Sequence, residues 1–168
     1  DLLGFLYQTP IGDVMVSADR QDYAEFMERL AAAAQSPYYE VLGELEAIEA
    51  EVEDLSILSV YTQILVPALT RVQRAEARNE AMLDLMRIGL LLEAQYTETG
   101  SYPETLGAVA FDLGGEVPVD PFTGNDYVYL PQGDTYSLYS VGENLQDDGG
   151  IFDYREGDIV WRGVRIED

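Results

Sequence analysis

The 168-residue chain is 47% apolar, enough to bury a core, and its length suits one domain or one domain with an appended helical region. Nine arginines and no lysine stand against 32 acidic residues, and the formal charge of −23 argues against binding to nucleic acid or anionic lipid. Cysteine and histidine are absent, which removes disulfides, thiol and imidazole catalysis and the usual zinc ligands, so any metal site must be all-oxygen and suited to a hard cation such as calcium.

Residues 1–18 read as a short helix and an extended segment around a Thr9-Pro10-Ile11-Gly12 turn. Ser17 and Asp19 are candidate N-caps for a helix to about Gln35, with Tyr23, Phe26, Met27 and Leu30 at helical spacing. Ser36-Pro37 breaks it, and Pro37 suits the first turn of a second helix to about Asp54. Val41, Leu42, Leu45 and Ile48 form the apolar stripe of that helix, and glutamates coat the rest. Leu55 to Leu65 reads as a helix or a buried connector.

Pro67 is expected to open the longest helix, running to about Thr97. Its second half is apolar on several sides, from Met82 and Leu83 to Leu91 and Leu92, which predicts that a sheet wraps it. Gly100 is a C-cap candidate. Beyond it the apolar period shortens toward two. Tyr127 to Tyr129 and Tyr136 to Tyr139 read as strands joined by a hairpin connection at 130–134, with Ile159 to Trp161 as another strand. The expected fold class is α+β: an acidic helical region at 1–65, then a domain at 66–168 in which a long helix packs on a small antiparallel sheet.

The loop from Asn144 to Asp158 offers Asn144, Asp147, Asp148, Asp153, Glu156 and Asp158, with Gly149-Gly150 allowing a sharp turn. Calcium takes six to eight oxygens and needs such a turn, although the EF-hand spacing is missing. On residue types alone the loop is either a calcium site or a solvated acidic loop. Carboxylate pairs such as Asp147 and Asp148 are compatible with acid–base hydrolysis. No histidine, lysine or cysteine accompanies them, and no glycine-rich phosphate loop is present.

In order, the chain carries Gly100-Ser-Tyr-Pro103, Asp120-Pro-Phe-Thr-Gly-Asn-Asp-Tyr-Val-Tyr129, Ser140-Val-Gly-Glu-Asn144, Gly149-Gly150 and Asp158-Ile159 after a long helix. This set resembles the globular part of type II secretion major pseudopilins, relatives of type IV pilins, over about residues 67–161. The resemblance implies an antiparallel sheet on a long helix and a calcium ion in the loop before the last strand. The implied ligand set is drawn from Ser140, Asn144, Asp147, Asp148 and Asp153. Asn144 stands where the family has aspartate, and Asp147-Asp148 is a local variant.

Residues 1–65 depart from that family, because acidic helical sequence stands where the family has an apolar membrane helix. No apolar run approaches the roughly 18 residues that span a bilayer. The chain begins at Asp1 without methionine, which suggests a processed product or a fragment with any anchor upstream. The expectation is therefore a non-enzymatic, extracytoplasmic structural or protein-interaction protein with a calcium-stabilised pseudopilin-like domain and protein partners not yet identified. A genuine pseudopilin subunit and a carboxylate-dependent hydrolase are the alternatives.

Overall fold

The computed structural model describes residues 10–56, 59–153 and 157–162, and the fold is α+β. By its contacts the chain divides into two units, residues 1–75 and 76–168, with the division falling inside the longest helix.

The first unit begins with α1, Pro10–Ala33, so the turn and extended segment expected near Pro10 to Val16 are helical instead. Residues 1–9 lie outside the described residues. Proline is compatible with a helix start because its missing N–H is among those that have no intrahelical partner there. A tight turn at 34–36 leads to Pro37, which directly precedes α2, Tyr38–Glu53. Phe26, Leu30 and Ala33 of α1 pack with Leu45, Ile48 and Val52 of α2 and with Val66, as the helical spacing predicts. Arg29 spans the outside of this pair, donating to Glu44 at 2.7 Å and to Glu51 at 2.5 and 3.0 Å.

The longest helix, α3, runs Val60–Thr99 and therefore starts seven residues before Pro67, which lies inside it. Its start is set by a residue remote in sequence. The buried Asp19 carboxylate of α1 accepts the backbone N–H groups of Tyr61 at 2.9 Å and Thr62 at 3.1 Å, and the Thr62 hydroxyl at 2.7 Å. Two orphan N–H groups of the first turn are thereby satisfied across the helix pair. Asp22 adds a bond from the Ser59 hydroxyl at 2.8 Å.

In the second unit α3 ends at Gly100, whose N–H returns to the Tyr96 carbonyl at 2.8 Å, so the expected C-cap is present. A short 3-10 helix, Leu106–Val109, precedes three antiparallel strands in the order β1, Val128–Gln132, β2, Thr135–Ser140, and β3, Ile159–Val160. Gln132 pairs with Thr135, leaving Gly133-Asp134 as a two-residue hairpin connection. Ala81, Leu85, Ile88 and Leu92 of α3 are buried in this unit, as are Phe122, Leu138, Tyr139 and Ile159.

Trp161 shows how closely helix and sheet approach. Its indole lies against Gly89 of α3, in the space any Cβ there would need. The indole N–H donates to Tyr136 Oη at 2.9 Å, and the Tyr136 hydroxyl donates to Glu93 at 3.1 Å. Tyr102 packs edge-on to Tyr136 and stacks on Tyr96. The sheet therefore covers one side of this half of α3. The other side, with Met82, Leu83, Met86 and Leu90, is exposed, which corrects the expectation of a helix wrapped on several sides.

Candidate functional site

Two buried carboxylates organise the loop between β2 and β3, and neither belongs to the expected ligand set. Asp120 opens the turn at 120–124, where its Oδ1 accepts the Phe122 N–H at 2.9 Å and its carbonyl accepts the Gly124 N–H at 2.7 Å. Its Oδ2 reaches forward to the Val141 N–H at 3.3 Å, at the point where β2 gives way to the loop. Burial pushes its carboxyl pKa up, opposed by the Phe122 and Val141 N–H groups and the Ser140 hydroxyl.

Asp158 closes the loop, and both of its oxygens accept backbone N–H groups, from Gly150 at 2.7 Å and Asp148 at 3.4 Å. It is fully buried. Burial raises its pKa first, the two N–H groups lower it, and the neighbouring Asp148 and Asp147 carboxylates raise it again. Like charges thus add to burial at a carboxylate that helps hold the loop closed.

The loop is narrow as well as acidic. At Gly142, φ is +70° and a Cβ would stand 2.9 Å from the Gly157 carbonyl. At Gly157 a Cβ would come within 2.5 Å of the Asp153 nitrogen. Only glycine allows the two arms to meet there.

The five expected ligands occupy different places. The buried Ser140 hydroxyl lies between the Asp120 carboxylate and the Gly142 N–H, which donates to it at 3.0 Å. Asn144 Oδ1 accepts the Gln146 N–H at 3.0 Å, and its amide donates to Asp148 at 2.9 Å. Asp147 Oδ1 accepts the Tyr139 hydroxyl at 2.8 Å and the Gly149 N–H at 2.9 Å. Burial and the Asp147 carboxylate push the Tyr139 hydroxyl up to about 12. Asp153 is exposed on the far arm, and Glu156 lies outside the described residues. The structure thus gathers Asn144, Asp147 and Asp148 around the Asp158 anchor, while Ser140 engages Asp120.

In donor chemistry the loop fits a hard cation, since every side-chain ligand it can offer is oxygen. A carboxylate has about four acceptor positions, so the bonds to Asp147 and Asp148 leave capacity on both. Among the described residues no three acidic side chains converge as a ready cage. Backbone carbonyls of the loop would have to complete a calcium shell. The cavity beside β1, about 340 Å³ and lined by Glu104, Asp126, Tyr127 and Tyr129 among others, includes none of these loop carboxylates.

Comparison with family models, with curated proteins and with solved structures finds no match to this chain. Among the described residues no helix is long and apolar enough to cross a membrane. The importance of Asp158 could have been read from the Asp158-Ile159 step before the last strand. Asp120 heads the Asp120–Tyr129 stretch of the quoted set, but its residue type alone did not mark it as a buried acceptor for the Val141 N–H.

Proposed function

We propose that this chain is a non-enzymatic, extracytoplasmic structural or protein-interaction protein whose second unit is a pseudopilin-like domain clamped by calcium. Asp147 and Asp148 hold the ion, with an oxygen from Asn144 and loop carbonyls. Asp158 and Ser140 shape the loop from beneath. The observation that supports this is the acidic pair Asp147 and Asp148 on the loop that the buried Asp158 anchors through the Gly150 and Asp148 N–H groups. A bound divalent cation would place positive charge beside those oxygens, which suit a hard ion.

Ligand linkage gives the expected size: about 2.7 kcal/mol of stabilisation at a hundredfold excess over the dissociation constant. Thermal unfolding in chelator and in added calcium, with isothermal titration calorimetry alongside, tests it. Calcium should raise the melting temperature of the parent chain, and Asp148→Asn should abolish most of the rise. A melting temperature indifferent to both chelator and calcium sinks the proposal.

A further inference from the structure

Within the second unit, Trp161 starts a line of hydrogen bonds that ends on a carboxylate. Its indole N–H donates to Tyr136 Oη at 2.9 Å, and the Tyr136 hydroxyl donates to Glu93 Oε1 at 3.1 Å. The Tyr102 hydroxyl donates to the other oxygen, Glu93 Oε2, also at 3.1 Å. The rings follow the same order. Tyr102 meets Tyr136 edge-on with centroids 4.7 Å apart, and Tyr96 stacks on Tyr102 at 4.5 Å. Satisfying buried polar groups accounts for each bond singly. Together they make a continuous proton path from indole to carboxylate, each bond short enough for transfer, beside a row of rings that can pass an electron.

We propose that Trp161, Tyr136 and Tyr102, with Glu93 as the proton acceptor, form a redox relay that moves a one-electron oxidation off the indole and onto the tyrosines. The chain has a single tryptophan and no cysteine. No thiol is therefore present to take the oxidation from tyrosine, and the phenols are its resting place.

Each step keeps to bonds already present. A one-electron radical oxidant takes an electron from the indole and is itself reduced. The indole radical cation is acidic, so its N–H proton passes to Tyr136 Oη while the Tyr136 hydroxyl proton passes to Glu93. Tyr136 then returns an electron and that proton to the indole nitrogen. This restores Trp161 and leaves a tyrosyl radical beside a protonated Glu93. In the last step Tyr102 gives an electron to Tyr136 and its hydroxyl proton to Glu93 Oε2, while the proton on Oε1 goes back to Tyr136. One electron has left the protein, Tyr102 holds the radical and Glu93 holds its proton. The relay spares a ring on which the packing depends. The Trp161 indole fills the space against Gly89, and an oxidatively opened indole would no longer fit it.

This inference goes beyond the calcium reading and uses no residue of the acidic loop. Pulse radiolysis of the full chain with azide radical, a one-electron oxidant that prefers tryptophan to tyrosine, tests it. The green-absorbing tryptophanyl band should decay as the violet-absorbing tyrosyl band grows, at a first-order rate independent of protein concentration. A rate proportional to concentration, or decay without a tyrosyl band, overturns the relay.

Tyr136→Phe keeps the ring but removes the hydroxyl, and should slow the transfer by an order of magnitude. Glu93→Gln keeps an acceptor oxygen but loses the base, and should slow it too. Tyr129 is the control, because its ring lies 5.9 Å from that of Tyr136 while its hydroxyl donates to the Pro103 carbonyl, off the proton path. Tyr129→Phe should leave the rate unchanged. Parent rates in all three variants would assign the transfer to other tyrosines and overturn the relay. Equal slowing in all three would mark loosened packing and overturn it as well. Under a sustained azide-radical flux, peptide mass spectrometry should find oxidation at Tyr102 and Tyr136 in the parent and at Trp161 in Tyr136→Phe. Oxidation at Trp161 in both contradicts the relay.

Discussion

The two units treat buried carboxylates in opposite ways. In the first, Asp19 is buried, yet the Thr62 hydroxyl and the N–H groups of Tyr61 and Thr62 outweigh that burial and hold its pKa below the usual range. Arg29 likewise lowers that of Glu51. In the second unit Asp84, Asp120 and Asp158 are all pushed up, burial being the largest cause each time. Asp120 and Asp158 each accept two backbone N–H groups, as Asp19 does, so the number of such donors does not explain the difference. What differs is whether donors outweigh burial, and for Asp158 whether further carboxylates crowd in. Ionised aspartate is therefore a fastening in the first unit and a strain on the second.

That comparison predicts where each unit fails. The largest effect is expected from the core of the second unit, where Phe122 is 1% exposed beneath the Asp120 turn. Phe122→Ala should cost about 3–5 kcal/mol, the usual range for a buried aromatic cut to alanine. Native-state hydrogen exchange should place the loss in amides of the second unit, with those of α1 and α2 affected less. Next comes Gly89→Ala, whose new methyl would occupy the place of the Trp161 indole. Overpacking of this kind costs roughly 1–3 kcal/mol. The chain has one tryptophan, so a red-shifted emission would report the displaced ring directly, and an unchanged spectrum would contradict the packing described.

The sequence disclosed features that depend on neighbours along the chain. The 3.6-residue spacing of Phe26, Leu30, Leu45 and Ile48 predicted a helix pair, and the runs at 127–129 and 136–139 predicted a hairpin, although the strands extend into the expected 130–134 connection and leave only Gly133-Asp134. It failed where the partner is remote. Pro67 looked like a helix start because proline suits a first turn, but the cap is Asp19, more than forty residues upstream. The broad apolar band on α3 implied burial on several sides, whereas the sheet covers one. In the loop, residue types drew attention to Asp147 and Asp148 but could not rank Asp158 as the buried anchor. That rank depends on a chain reversal at Gly149-Gly150 that brings two N–H groups onto one carboxylate.

A smaller effect is expected from Asp19→Ala, which removes the acceptor for the first turn of α3. Loss of an N-cap side chain costs about 1 kcal/mol, within a range of roughly 0.5–2. It should speed exchange of the Tyr61 and Thr62 amides first. Unchanged protection at those two amides would show that another acceptor sets the helix start.

The smallest effect is the sharpest test of the contrast, because its sign differs between the units. A carboxyl whose folded pKa is raised binds its proton more tightly when folded, so its stabilisation is complete below the unfolded value of about 3.9 and is lost as pH rises through the folded value. Asp84, Asp120 and Asp158 should therefore stabilise the second unit as pH falls from neutral toward that window. Asp19, with a lowered pKa, contributes stability present above its unfolded value and lost as pH falls through the folded one. Mild acid, still above about pH 4, should accordingly tighten the second unit before it loosens the first. Residue-resolved hydrogen exchange, corrected for intrinsic rates, would read both at once. Parallel loss in the two units as pH falls would defeat the contrast. Calcium sharpens it further: an ion at Asp147 and Asp148 competes with the proton at Asp158, so added calcium should reduce the acid gain at the Gly150 amide. The gain near Asp84, which is paired with Tyr127 at 3.3 Å, should remain.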